Sequence, residues 1–218
     1  MGIPDLSVVV THYEYHDLLP ACLASIRAST LSQSRYEIIV VDNASPSGIP
    51  EAALAPDIIF VRHGTDRGWA ASLNTGYRIA RGQYVCHVSA DDTIEPGWLE
   101  RGLELALDQW YLYVAPDSPY PLKLESILND NYMHMGAMFA KELWEQIGGY
   151  DEKIPYPDWD MWAKIAAYGY SYDDGGLSLD EHHYNWKPHH GMDTALIDQV
   201  RQELHRRYGG LVKRKRGA

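Results

Sequence analysis

Four short runs rich in Val and Ile, at residues 6–10 (LSVVV), 37–41 (EIIVV), 58–61 (IIFV) and 84–88 (YVCHV), constrain this chain more than any other feature. Apolar runs of this length without polar alternation are the pattern of strands covered on both faces. After the first run, Leu18, Leu19, Cys22, Leu23 and Ile26 recur at helical spacing, with Asp17 expected as the cap ahead of Pro20. Residues 69–80 read as a second helix stopped by Gly82, and Pro96 opens a third over about 97–109. Strands separated by helices at this spacing call for right-handed crossovers, hence an α/β fold with a mainly parallel sheet flanked by helices.

The second half is less regular. Residues 111–115 are expected to form a strand, 116–131 a proline-punctuated loop, and 133–140 a strand at the sheet edge. A short helix over 141–147 is stopped by Gly148-Gly149. Residues 158–168 read as a helix with Met161, Trp162, Ile165 and Ala166 inward, and residues 193 to about 208 as the last helix. No internal repeat or low-complexity linker divides the 218 residues, so a single domain over 1–212 with a basic tail at 213–218 is the simplest organisation.

The net charge of −11 is unevenly spread. Residues 201–218 hold seven basic groups against Glu203 alone, so the preceding 200 residues carry −17. An acidic body argues against a protein that coats nucleic acid and suits metal cations or neutral ligands. Two cysteines, Cys22 and Cys86, build no disulfide framework and read as core thiols of a reducing compartment. No apolar run approaches the ~20 residues that span a bilayer, and the first residues lack a signal peptide's basic and apolar regions. The expectation is a cytoplasmic protein, peripheral to a membrane if its basic end engages one. The 16 Tyr and 7 Trp against 2 Phe suit a wet cleft of the kind that stacks sugar rings.

Open parallel sheets bind ligands beyond the carboxyl ends of their strands. The first run delivers Thr11, His12, Tyr13 and Glu14 there, the second Asp42, Asn43 and Ser45, the fourth Ser89, Asp91 and Asp92. A lone Asp at such a place is most often a turn or cap residue; convergence from three strands argues for more. Adjacent ionised carboxylates repel, so Asp91-Asp92 suits a hard divalent ion such as Mg²⁺ or Mn²⁺ shared with substrate phosphates. The chain has no G-x-x-x-x-G-K-[ST], no G-x-G-x-x-G, no G-x-S-x-G and no H-E-x-x-H. These absences disfavour P-loop enzymes, dinucleotide-binding folds, α/β-hydrolases and zincins.

The succession LSVVVTHYEYHDLLPACLASI, YEIIVVDNAS, DRGWAASLNTGYRIARGQYVCHVSADD, IGGYDE and PDWDMWAKIAAYGY resembles the family-2 glycosyltransferases of GT-A fold, collinearly over residues 6 to about 170. The resemblance implies a Rossmann-like sheet with a nucleotide-sugar-binding half at 1–110 and a smaller acceptor-binding half at 111–212. It places Thr11, Tyr13 and Glu14 where the first loop meets the nucleotide, Asp42 against a uracil or other pyrimidine ring, and Asp66 and Arg67 along base and ribose. Asp91 falls on ribose and metal, Asp92 on the metal, and Asp158 takes the place of the catalytic base of inverting members. His189 or His190, in the cluster EHHYNWKPHHGMD, is implied as a third metal ligand; a histidine-bearing loop that binds nothing fits equally. Two acids are replaced: the usual D-x-D-D reads Ser89-Ala90-Asp91-Asp92, and E-D reads Pro157-Asp158, with Asp160 as a fallback.

The implied activity is metal-dependent, inverting transfer of a sugar from a nucleotide diphosphate, a UDP-sugar first, to an acceptor hydroxyl of a glycan or lipid-linked sugar, with Mn²⁺ or Mg²⁺ as cofactor. Two alternatives stand beside it. One is a catalytically silent nucleotide-sugar-binding module, motivated by Ser89 and Pro157. The other is a nucleotidyltransferase, which wants a Gly-rich basic loop where residues 12–17 stand. The basic end reads as a solvated tail, as a contact to anionic lipid, or as a contact to nucleic acid.

Overall fold

A computed structural model describes residues 2–108, 112–114, 122–131, 133, 137–169, 182–183 and 194–215. The four Val/Ile runs form β1 (Leu6–His12), β2 (Tyr36–Asp42), β3 (Ile58–Arg62) and β4 (Tyr84–Ser89), all parallel, in the order β3-β2-β1-β4. Every residue of β1 and β2 is buried, as runs lacking polar alternation require. Two further strands complete the six-stranded sheet: β5 (Leu112–Val114) is its far edge, and β6 (Ala137–Ala140) lies between it and β4, antiparallel to both. The chain leaves β1 toward β2 and β3, then recrosses to β4 on the other side of β1. The gap between the carboxyl ends of β1 and β4 is therefore the topological switch point, where open α/β sheets take ligands.

The helices are α1 (Leu19–Arg27), α2 (Trp69–Ile79), α3 (Trp98–Asp108), α4 (Leu124–Ile127), α5 (Lys141–Gln146), α6 (Pro157–Ala167) and α7 (Thr194–Lys215). Asp17 does not cap α1. The N-cap is Leu18, without a side-chain cap, and the helix starts from a turn in which Leu18 and Leu19 donate to Tyr15 O. The segment 116–131, expected as loop, contains α4, whose Leu124 and Ile127 are buried. The strand expected at the sheet edge over 133–140 is described at 137–140 and is not an edge, because Leu112–Val114 pairs on its outer side; the last helix runs on to Lys215 rather than stopping near 208. A separate two-stranded ribbon pairs residues 93–94 with 182–183 antiparallel. Cys22 and Cys86 are free and buried, as expected of core thiols. Among the described residues no helix is long and apolar enough to cross a membrane.

Gly82 owes its place to a close approach rather than to stopping α2, which already ends at Ile79. A Cβ there would lie 2.6 Å from Ser7 N and 2.7 Å from Leu6 C. Because the obstacle is the backbone of the central strand, it cannot swing aside. Gly82→Ala is expected to destabilise the fold by about 3 kcal/mol, the upper range for overpacking. A urea midpoint lowered at unchanged m value checks it.

Candidate functional site

β1 and β4 end side by side, with Thr11 paired to Ser89 and Ala90 N donating to Thr11 O at 3.0 Å. Thr11 Oγ1 lies 2.9 Å from His87 Nε2, beneath the ring of Trp69, which packs edge-on against both His87 and Tyr150. Asp91 and Asp92 follow in a turn closed by Asp92 N donating to Ser89 O at 3.0 Å. Asp92 is buried and Asp91 half-buried. Their negative field is felt by two neighbours. The Tyr15 phenol, which hydrogen-bonds Asp91, is raised by burial and then by both carboxylates. The buried Cys22 thiol is pushed up to about 12 by burial, then by Asp92 and Asp91. Residues 182–183 pair with 93–94, so the histidine-rich segment starts beside this turn. His189 itself lies outside the described residues. Among the described residues, no three His, Cys, Asp or Glu side chains gather into a metal-holding group.

Asp42 stands at the end of β2 among protein donors. Its carboxylate is wholly buried. Oδ1 accepts from Ser45 Oγ and lies 2.9 Å from His12 Nδ1, and Oδ2 accepts from Arg62 Nη1 at 2.6 Å. Burial alone would raise this carboxyl, but Ser45, His12 and Arg62 together hold it below the ordinary value. Arg62 also donates to Gly48 O and Ser45 O, so one ion pair ties down the whole 42–48 loop. His12 is lowered by burial despite Asp42, and because a carboxylate only accepts, it is the Nδ1–H that donates to it. His12 Nε2 is buried without a partner.

Glu14 is exposed, and its carboxylate accepts from Ser47 N at 2.9 Å and Ser47 Oγ at 2.6 Å, clasping the β1 loop to the β2 loop. Tyr13 is exposed beside it. Asp66 Oδ1 accepts from Asn43 Nδ2 at 2.6 Å and Gly68 N at 2.9 Å, while Asn43 Oδ1 accepts from Arg67 N at 2.9 Å. Asn43 Oδ1 also lies 3.0 Å from His63 Nδ1; because that oxygen already accepts from Arg67, the histidine must be the donor. The Arg67 guanidinium reaches Glu152 at 3.2 Å, and Asn74 Nδ2 donates to the same carboxylate at 3.0 Å, so this loop is tied to the GGYDE segment. Asn43, His63, Glu152 and Asn74 had no assigned role in the sequence; Asn43 stood out as a strand-end polar residue, and Asn74 and Glu152 fell inside matched segments without a task.

Asp158 opens α6, half-buried, with Oδ2 accepting from Asn131 Nδ2 at 2.8 Å. Burial raises its carboxyl, against the hydrogen bonds from Asn131 and from the backbone of Trp159 and Asp158. Asp160, the fallback, faces the other way: it is fully buried, 2.8 Å from Lys164 Nζ, and accepts from Arg207 Nη1 and Tyr208 OH. The chain's three non-glycine residues with positive φ among those described, Glu14 (61°), Ala44 (63°) and Tyr156 (56°), sit in the loops after β1 and β2 and just before α6. Strain of this kind gathers at ligand-binding loops.

Residues 7–159 match the model of glycosyl transferase family 2. An uncharacterised glycosyltransferase of Haemophilus influenzae is 26% identical over 182 residues, covering 73% of this chain and 61% of that protein. The mannosyltransferase PcManGT of Pyrobaculum calidifontis, solved with GDP-Man and Mn²⁺, is 26% identical with a TM-score of 0.64, covering 78% of this chain and 54% of its own. Staphylococcus aureus TarS 1–349, solved with UDP-GlcNAc, shares the fold at 16% identity and a TM-score of 0.67, covering 88% of this chain and 60% of its own. The chain spans 34% to 68% of the length of the first curated relatives it matches. The sheet order, with its mainly parallel strands and switch point, is the GT-A architecture of these neighbours. With the match extending over more than half of its residues, the chain belongs to glycosyl transferase family 2.

Proposed function

We propose that the chain moves a sugar from a nucleotide diphosphate donor, a UDP-sugar first, to an acceptor hydroxyl with inversion, Asp158 serving as general base. The observation that carries this reading is the Asp91-Asp92 pair at the switch point, in a chain of this family. Tyr13 and the Thr11–Ser89 edge line the crevice for the nucleotide. Asp42, saturated by protein donors, acts on it through the loop it fixes. Asp66 and Arg67 border the same opening and brace it against the acceptor-side half. Ser89 offers ribose a hydroxyl where the family has an acid.

Two carboxylates that already press negative potential on Tyr15 and Cys22 are a fitting donor set for Mn²⁺ or Mg²⁺. Asp92, with Asp91, would hold the ion, which would neutralise charge on the departing diphosphate. Asp158 takes the acceptor proton, and a carboxyl raised by burial is a stronger base than an exposed one. A single base opposite the leaving group inverts the anomeric centre. The acceptor is a hydroxyl of a glycan or lipid-linked sugar, and the basic end after Val212 supports approach to an anionic surface.

Thermal-shift titration with UDP, UDP-sugars and GDP-Man, with and without Mn²⁺, tests the reading. Ligand at about 100 times its Kd adds about 2.7 kcal/mol of stability. Asp92→Asn is expected to lose the Mn²⁺-dependent part of that gain. A donor effect indifferent to Mn²⁺ in the wild type would remove the metal from the reading. Donor binding without any turnover would leave a silent nucleotide-sugar-binding module.

A further inference from the structure

Asp158 is held by a residue outside every motif of the chain. Asn131 lies in the turn after α4, and its Nδ2 donates to Asp158 Oδ2 at 2.8 Å. The reversed amide would set oxygen against carboxylate oxygen, so the orientation follows from the contact. Asn131 Oδ1 is buried and has no partner. An orphaned buried acceptor costs about 1–3 kcal/mol, so an asparagine kept only for packing would be expected to use both ends. This one spends its donor on the carboxylate and leaves its acceptor idle.

The turn that carries it is braced from two sides. Trp159, the next residue of α6, donates through Nε1 to Ile127 O at 2.5 Å. From α7, which lies beyond the family match, Arg201 Nε donates to Asn129 O at 2.9 Å, and His205 Nε2 lies 3.2 Å from Asn129 Oδ1. The basic helix, unassigned by its charge, thus supports the turn beside the proposed base.

We infer that Asn131 is the positioning residue of Asp158, fixing the orientation of the carboxylate and favouring its ionised form through the donated hydrogen bond. The inference rests on the reading of Asp158 as base. Among the described residues, few ionisable groups face this carboxylate. Tyr150, on the segment after α5, faces it, its phenol raised by burial and then by Asp158. On α6 and α7, Asp160, Lys164, Arg207 and Tyr208 bond among themselves. Among the described residues, Asn131 is therefore the side chain that donates to the anion.

The test is a ¹³C carboxyl NMR titration of Asp158 in the full chain, wild type against Asn131→Ala and the isosteric Asn131→Asp. Loss of one charge-assisted hydrogen bond should move the Asp158 midpoint up by about one pH unit in the alanine variant. The aspartate variant, which sets a second carboxylate beside the first, should move it further. An unmoved midpoint in either folded variant overturns the inference, and Asn131→Asp preserves shape if the alanine variant does not fold. Activity separates the two claims: an active Asp158→Asn enzyme would remove the base assignment and leave the titration result standing.

Discussion

Asp158→Asn is expected to lower kcat for glycosyl transfer by at least about 10²–10⁴-fold, the usual contribution of a general base, while nucleotide diphosphate affinity is unchanged. The separation follows from the architecture. Asp158 rides on α6, whereas the residues proposed to border the nucleotide sit on the ends of β1, β2 and β4 and on the loop before α2. Asparagine keeps the shape of the side chain, so a fall in kcat would report chemistry rather than collapse. Two pH observations sharpen the test. The wild-type rate should fall as pH drops through a midpoint above the ordinary carboxylate range, because burial raises this group and the base works only when ionised. Stability should respond in the opposite sense from most acids. With the folded pKa above the unfolded one, ionisation of Asp158 opposes folding, an effect absent below the unfolded value and fully felt above the folded value. Asp158→Asn should therefore be no less stable than wild type at neutral pH, and more stable if Asn131 accommodates it. An asparagine variant that transfers sugar at wild-type rate would end the assignment.

The sheet was legible because burial on both faces demands unbroken Val/Ile runs, and four such runs can hardly fold otherwise. Their ends were less so: β1 and β2 continue through Thr11-His12 and Asp42, where ladder hydrogen bonds persist after the apolar pattern stops. α4 escaped notice because four helical residues are too few to display a period and prolines crowd the segment before them. α7 outruns its expected end because Tyr208, Leu211 and Val212 pack against the core. That packing outweighs the roughly 1 kcal/mol that each of Gly209 and Gly210 costs a helix.

The rim residues were legible by position, but the bonds that hold them were not. Asp42 and Glu14 stand at the expected strand ends, yet both spend their carboxylates on the 42–48 loop, which only the neighbouring Arg62 and Ser47 reveal. Asn131 lies 27 positions from Asp158, and no local pattern announces a contact made by tertiary packing. Charge arithmetic misled in one respect: Arg201, Arg206 and Arg207, counted with the basic end, are bonded to acids or carbonyls of the folded body.

Arg207→Ala is expected to be the most destabilising surface-helix substitution in the chain. Arg207 donates to Glu203 Oε1 at 2.7 Å, Asp151 Oδ2 at 2.8 Å and Asp160 Oδ1 at 3.1 Å, joining α7 to α6 and to the GGYDE segment. Asp160 is fully buried. Without the guanidinium it keeps, among the described residues, Lys164 and Tyr208, and removing one partner of a buried ion pair typically costs roughly 3–5 kcal/mol. The retained Lys164 puts the expectation near the lower figure. For a chain of this size that is about a 6–12 °C fall in melting temperature. Arg206→Ala on the same helix is the control: the Arg206 side chain is exposed and its partner Glu203 lies on α7 itself, so the melting temperature should hardly move. Arg207→Ala combined with Asp160→Asn should recover part of the loss, because the second change removes the stranded charge. Acid behaviour follows from the same contacts. Glu203 is held down to about 2 by Arg206 and Arg207, and Asp151 is lowered despite burial by Lys153 N and Arg207. Depressed carboxylates stabilise the fold above their unfolded values and lose that effect as pH falls through the folded ones. Arg207→Ala should thus unfold at higher pH than wild type within the acid range. Since Asp158 lies in the first turn of α6, the variant should also lose transfer activity before it loses its sheet. Equal stability of Arg206→Ala and Arg207→Ala would show that α7 is held by its apolar face alone, and that the ion pairs merely decorate it.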